Sequence, residues 1–332
     1  MADSKLEACA SLTVLGGGRT VSVAKLSAGV LREVGYLRAG GDEVVFAVAG
    51  HRHFCVVAFY SGRIEVWDMV KCWMLASCQG HRTAIWAILL NIDRNIVVSG
   101  GADRNVKVWS LDAEQEVLTL QQAFTGHTGN ILTLSADCES QIAASGGSDR
   151  NIWLWPLEGV DGTRTVTCLP DRHTSMVNAV ALVRRGPKVL VISASSDGTV
   201  CMSDIDPDVP ILQVLRVEGA TFRSMIASND GSVILACSGQ FVHRWYADGQ
   251  GDDNADSQQP VRLVSDSIAV VDGIEGDIVA SFCHLSEVDT DSTLVVTTTH
   301  GEAACLDFGS LRTVSLDTVS DGCPVQIGAK WD

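Results

Sequence analysis

Residues 80–109 read GHRTAIWAILLNIDRNIVVSGGADRNVKVW, and residues 126–155, 46 positions further on, read GHTGNILTLSADCESQIAASGGSDRNIWLW. Both stretches open on Gly-His and close on a tryptophan, Trp109 or Trp155. His81 stands 22 residues before Asp103 and His127 stands 22 before Asp149, and each aspartate is six residues ahead of its tryptophan. Arg172-His173 then follows Gly126-His127 at the same spacing of 46. Agreement both in the period and inside it is hard to obtain by chance. Between these marks lie short apolar runs bounded by Gly-Gly and Asp-Arg-Asn turns, the pattern of strands joined by hairpins.

A tandem period of this size, with Gly-His near the start and tryptophan near the end, marks propeller blades built from four antiparallel strands. The motifs GHRTAIWAI with VVSGGADRNVKVW, GHTGNILTL with AASGGSDRNIWLW, and Trp67-Asp68 in SGRIEVWD resemble the WD-repeat family. The resemblance implies a β-propeller whose blades are each tied by a buried hydrogen-bonded set of His, Ser or Thr, Asp and Trp. Here the sets are His81, Ser99, Asp103 and Trp109, then His127, Ser145, Asp149 and Trp155. The unit from His173 keeps Ser193 and Asp197 but has Ser203 in the tryptophan's place, so its set is incomplete. Three further units are read from strand alternation. The stretch 43–78 has Trp67 but Ser61 at the aspartate position, and 219–264 has Trp245 without the histidine or aspartate. The stretch 273–320 has His300 and Leu306 at the aspartate and tryptophan positions.

Near the C-terminus, CPVQIGAKW at 323–331 reads as an innermost strand with no blade of its own, and SLTVL, RTVSVAKL and LREVGYL within 11–37 read as the three strands it lacks. Joined, the termini leave no bare edge strand. The expectation is an all-β, seven-bladed WD-repeat propeller forming a single domain over 1–332, with six or eight blades as alternatives. Its blades fall at about 43–78, 81–120, 127–169, 173–216, 219–264 and 273–320, plus a closing blade from 323–331 and 11–37. The polar, acidic stretch 247–260, ADGQGDDNADSQQP, reads as a flexible loop. RRGPK at 184–188 reads as a lengthened hairpin.

Composition narrows the function classes. Hydrophobic residues make up 46% of the 332 and charged residues 19%, with mean hydropathy +0.19, so the chain hides much apolar surface and is not a disordered protein. Its longest apolar runs, such as FCVVAFY at 54–60, are strand-sized and far from the ~18 residues that cross a bilayer. The start, MADSKLEACASL, lacks the basic and apolar regions of a secretory leader. Cytosol or nucleus is the expected location, without a membrane. With 24 basic against 40 acidic residues and net charge −16, the summed field repels phosphate backbones, and direct nucleic-acid binding is not expected. The eleven cysteines are odd in number and scattered, many in apolar strands such as Cys55, Cys237 and Cys283, which fits reduced core residues. No pair has C-x-x-C spacing; neither Cys72 with Cys78 nor His51 with His53 reads as a metal site, and no cofactor is expected.

His, Ser and Asp in one group can in principle form a nucleophile, a base and an orienting acid. A catalytic triad occurs once, however, whereas this grouping recurs at the blade period with a tryptophan donor added, which favours a structural role. No phosphate-cradling glycine loop or nucleophile elbow is present, so no catalytic residue is assigned. A different feature stands out. Arg82 follows the first repeat histidine, Arg104 and Arg150 follow the repeat aspartates, and Arg172 precedes the third histidine. The resemblance puts those connections on one rim of the ring, where four arginines on a chain of charge −16 make a local positive patch. Trp73 and Trp86 are read as lying near the same turns. The expected function is a non-catalytic scaffold or adaptor in a multiprotein complex, docking an acidic peptide or subunit on that face. The alternative is an accessory subunit of an RNA-modifying enzyme or a rare propeller hydrolase.

Overall fold

The computed structural model describes residues 12–17, 20–27, 30–37, 43–51, 53–137, 139–157, 165–228, 230–247, 263–271, 278–284, 293–298, 302–307, 313–318 and 325–327. Every helix or strand among them is a strand, in four-stranded antiparallel sheets, so the fold class is that of the WD-repeat β-propeller. Among the described residues no helix is long and apolar enough to cross a membrane.

The chain divides into two compact units, Met1–Thr125 with Asp272–Asp332, and Gly126–Val271. In the first, one sheet takes strands Val45–His51, Phe54–Phe59, Arg63–Asp68 and Trp73–Gln79, and the next takes Ile85–Asn91, Ile96–Gly101, Asn105–Asp112 and Val117–Thr125. A third takes Ile278–His284, Thr293–Thr298, Glu302–Asp307 and Thr313–Thr318. The last sheet of this unit joins both ends of the chain. Val325–Ile327 pairs with Leu12–Gly17, Leu15 opposite Ile327 and Gly17 opposite Val325, followed by Thr20–Ser27 and Val30–Leu37. The second unit has one sheet of Ile131–Asp137, Ile142–Gly147, Ile152–Pro156 and Thr167–Leu169, and one of Val177–Arg185, Lys188–Ser195, Thr199–Asp204 and Gln213–Arg216. Its third sheet comprises Ser224–Ala227, Val233–Ser238, Phe241–Ala247 and Leu263–Val270. The acidic stretch between the last two strands lies outside the described residues apart from Ala247.

The turn between the second and third strands is the same device in four sheets. Its last residue takes a left-handed backbone: Gly62 at φ 85°, Arg104 at 67°, Arg150 at 70° and Gly198 at 77°. At Gly62 no other residue fits, because a Cβ there would collide with the backbone carbonyl of His81 at the head of the next sheet. At Arg104 and Arg150 a side chain is tolerated, although a left-handed non-glycine residue costs about 1 kcal/mol or more.

Cores form where neighbouring sheets face each other. In the first unit Ala49, Val56, Ile64 and Val66 pack on Ile85, Leu90, Val97 and Trp109. In the second, Val183, Ile192, Val200 and Met202 pack on Phe222, Ile234 and Trp245. Each fully buried aliphatic side chain contributes about 1.5–3 kcal/mol. The innermost strands have an edge facing a neighbouring sheet rather than a ladder partner, so side chains satisfy it. Val180 N donates to Thr133 Oγ1 (3.2 Å) and Leu182 N to Ser135 Oγ (3.0 Å), and Arg184 reaches Asp137 (2.6 Å). In the first unit the Ile92 amide donates to His51 Nδ1 at 3.0 Å, which takes the lone pair a metal would need.

Removing 325–332 deletes the strand that pairs with Leu12–Gly17 and bares an edge in the first unit. We expect that deletion to lower the thermal midpoint by several degrees, and removal of 248–259, a polar stretch with almost no apolar side chains, to leave it nearly unchanged. Equal shifts in differential scanning calorimetry would contradict this.

Candidate functional site

In the 85–125 sheet, His81, Ser99, Asp103 and Trp109 meet in one relay. Trp109 Nε1 donates to Ser99 Oγ (2.9 Å), Ser99 Oγ lies 2.7 Å from His81 Nε2, and His81 Nδ1 lies 2.9 Å from Asp103. The network sets the protons: Nδ1–H donates to the carboxylate, so Nε2 accepts from the serine. The 131–169 sheet repeats this with Trp155, Ser145, His127 and Asp149 at 2.8, 2.7 and 2.9 Å. Asp149 also accepts from the Thr128 and Asn151 amides, which ties the turn to the head of the innermost strand. Ser99 and Ser145 are fully buried and both bonds of each hydroxyl are taken. A hydroxyl in that position meets no substrate.

The electrostatics suit a structural tie. Burial pushes Asp103 up, but the hydrogen bond and charge of His81, the Asn105 amide and Lys107 outweigh it and hold the carboxyl at about 2. Burial lowers His127 and His173, against the opposing pull of Asp149 and Asp197. The 177–216 sheet keeps His173 on Ser193 (2.8 Å), Thr199 (3.0 Å) and Asp197 (3.3 Å). Ser203, in the tryptophan's place, is buried with its hydroxyl unpartnered. The 224–270 sheet substitutes packing for bonding: buried Phe222 stands edge-on to Trp245, and His243 stacks on Trp245 with centroids 5.9 Å apart. In the 45–79 sheet Trp67 donates to the buried Glu65 carboxylate (3.0 Å), which pairs with Arg63 (3.2 Å).

The arginines do not share one fate. Arg82, Arg104 and Arg150 are exposed at the turn ends of their sheets, and Arg104 and Arg150 hold the left-handed position. Arg172 is half-buried instead. Its guanidinium donates to the Val209 carbonyl (3.0 Å) in the connection at the opposite end of the 177–216 sheet, which withdraws it from an open rim. Trp73 is 56% exposed but pairs with Asp68 at the far end of its strand from Gln79 and His81, contrary to its expected place near the arginine turns. Trp86 does lie at that end, half-buried against Phe46. Sequence reading missed half-buried Phe46 and exposed Tyr60, since aromatics in degenerate units carry no motif.

A cleft of about 600 Å³ in the second unit is lined by Ile142, Leu154, Trp155, Pro156 and Ile205, with Lys188 and Asp204 its only charged residues. Among the described residues no group of three or more His, Cys, Asp or Glu could hold a metal.

His243 offers the cleanest pH test. Burial lowers it, and Nδ1 has no partner among the described residues. A histidine whose folded value lies below the unfolded ~6.5 binds fewer protons when folded, so its stability contribution is full above that value and lost as pH falls below it. The thermal midpoint is expected to fall between pH 7 and 5, and His243→Phe to flatten that fall, because the ring still packs on Trp245. An unchanged pH slope would rule this out. His127→Ala leaves the Ser145 hydroxyl proton without its acceptor and takes the ring N–H donor from Asp149, at a cost of about 1–3 kcal/mol. Denaturant unfolding should show that loss; an unaltered midpoint would refute the structural role.

Two stretches, residues 72–110 and 118–156, match the family model for the WD domain, G-beta repeat. Each begins on the outermost strand of one sheet and ends on the third strand of the next. WD repeat-containing protein 3 homolog of Dictyostelium discoideum is 38% identical over 74 residues, 22% of this chain and 8% of that protein. The human WD repeat-containing protein 3 is 29% identical over 77 residues, 23% of this chain and 8% of that one. Mitochondrial division protein 1 of Saccharomyces cerevisiae is 27% identical over 77 residues, 23% of this chain and 11% of its own length. The chain thus spans about a tenth of these relatives. Residues 72–156 thus carry two WD repeats in tandem, each ending in a sheet with a tied His, Ser, Asp and Trp set.

Proposed function

We propose that this chain is a non-catalytic scaffold or adaptor that docks acidic segments of other proteins on its arginine-bearing turns, Arg82 and Arg104 in the first unit and Arg150 in the second. The observation that carries the reading is the backbone at Arg104 and Arg150. Gly62 and Gly198 fill the equivalent position elsewhere, yet here two long cations stand in a left-handed conformation that costs about 1 kcal/mol or more. Both side chains are exposed, and no ion pair among the described residues holds them. On a chain of net charge −16, exposed guanidinium forks are local sites for carboxylates, with bidentate geometry that lysine would lack. The buried relays beneath hold the turns rigid, so little ordering entropy is lost on binding. The relatives named for WD repeats fit an interaction role, and the fully buried Ser99 and Ser145 offer no reachable nucleophile in the His, Ser, Asp and Trp sets.

Arg104→Gly with Arg150→Gly separates function from fold. Glycine accepts the left-handed backbone, so the thermal midpoint should hold or rise slightly. Capture of acidic partners by the tagged chain, measured by quantitative mass spectrometry at low and moderate salt, should fall about tenfold or more, since each charge-assisted bond is worth about 1.5–3 kcal/mol. Partner levels equal to wild type in the folded double variant would overturn the proposal.

A further inference from the structure

Three aromatic rings at the turn end of the first unit take no part in the buried relays. Phe46 and Trp86 each occupy a bulge at the start of an innermost strand, where pairing skips from Val45 to Ala47 and from Ile85 to Ala87. A bulge takes its residue out of the ladder and re-aims the side chain. The two rings meet edge to face with centroids 4.7 Å apart, and Tyr60, in the turn after Phe59, stands 5.5 Å from Phe46 while 62% exposed. The Trp86 indole N–H is shut off from water and has no acceptor among the described residues. At the matching bulge of the second unit, pairing skips from Val177 to Ala179, and Asn178 spends its amide on Ser196 Oγ and the Phe222 carbonyl, both at 2.7 Å. Bulge residues with polar groups therefore can find partners here, and Trp86 stands without one.

The surroundings are cationic. The turn carrying Tyr60 and Gly62 lies directly on the backbone of His81 and Thr83, which puts exposed Arg82 beside it. On the other flank the Ala102 amide donates to the Ala84 carbonyl (2.8 Å), which brings the turn of Arg104 to the same segment. Glu43, the nearby acid, is already engaged by Ser61 and Arg63.

We propose that Phe46, Tyr60 and Trp86 are the apolar anchor of a docking site for an extended acidic segment of another protein. One large aliphatic or aromatic side chain of that segment seats against the rings. Acidic neighbours on that segment meet Arg82 and Arg104. Three rings could also take a cation, but two guanidinium groups alongside oppose it, and charge complementarity selects an acidic occupant. Tyrosine, tryptophan and arginine together are the residues that dominate binding energy at protein interfaces. The inference rests on the scaffold reading above and adds the apolar requirement that arginines alone do not impose.

The probes are three fluorescein-labelled nonapeptides, Glu/Asp-rich on both flanks with Leu, Phe or Ser at the centre, titrated with the full chain and followed by anisotropy. The Leu and Phe peptides should bind about tenfold more tightly than the Ser peptide. Tyr60→Ala and Trp86→Ala should abolish that preference and leave the Ser peptide's affinity unchanged. Arg82→Glu should weaken all three peptides alike. Circular dichroism and melting check each variant, and because Tyr60 is on the surface its variant carries the test if Trp86→Ala misfolds. Equal affinity for the Leu and Ser peptides in the wild type overturns the anchor and spares the arginine reading. Undiminished binding by Arg82→Glu, with the Leu preference kept, overturns the arginine role at this end and spares the anchor. A chain that binds none of the peptides overturns both.

Discussion

Much of this structure depends on a single buried serine hydroxyl per repeat. Ser99 accepts the Trp109 indole N–H and donates its O–H to His81 Nε2, while His81 Nδ1–H donates to Asp103. Four residues from the head of the innermost strand, the second strand, its turn and the third strand are thereby locked across one sheet. In a low-dielectric interior each bond strengthens the next, and removing any member strands the others without water to replace it. The serine and histidine are buried, so the relay is a rivet rather than a reaction centre.

Sheets without the full relay reach the same end by other physics. Around His173 a threonine hydroxyl joins the histidine, and Ser203 brings no indole to the group. Around Trp245 no histidine stands at the head of the innermost strand, and the rings of Phe222 and His243 pack on the indole instead. Glu65 does similar duty for Trp67, accepting its N–H and holding Arg63. Each solution keeps the third-strand residue oriented and buried, partly so for Trp67, while changing what the turn beside it exposes. Variation of the relay and variation of the surface are therefore coupled.

That coupling shapes the functional ends of the sheets. Where the relay is complete, the turn is rigid and can present an arginine from a strained backbone, as at Arg104 and Arg150. Where the turn packs on the next sheet, glycine is obligatory at Gly62, and the exposed group is Tyr60 beside it. The same end of the first unit thus offers cations on one turn and an aromatic face on its neighbour, a chemistry matched to acidic segments with an apolar residue.

The repeat, the all-strand character and the grouping of His, Ser, Asp and Trp were legible because they recur: 46 residues between Gly-His pairs and 22 between His and Asp are properties of the chain alone. Degenerate units were legible only as alternating strands, since Phe222 says nothing until its ring is seen against Trp245. Side-chain reach was not legible either. Arg172 occupies a rim position by sequence, but its guanidinium runs to the Val209 carbonyl at the other end of its sheet, and Trp73 lies at the opposite strand end from the arginine turns. By itself the sequence determined strands, turns and the internal ties, all of which depend on neighbours at fixed separation along the chain. Only the tertiary structure decided which arginines are exposed and which aromatics share a surface, because those depend on groups from different sheets whose distances no local spacing encodes.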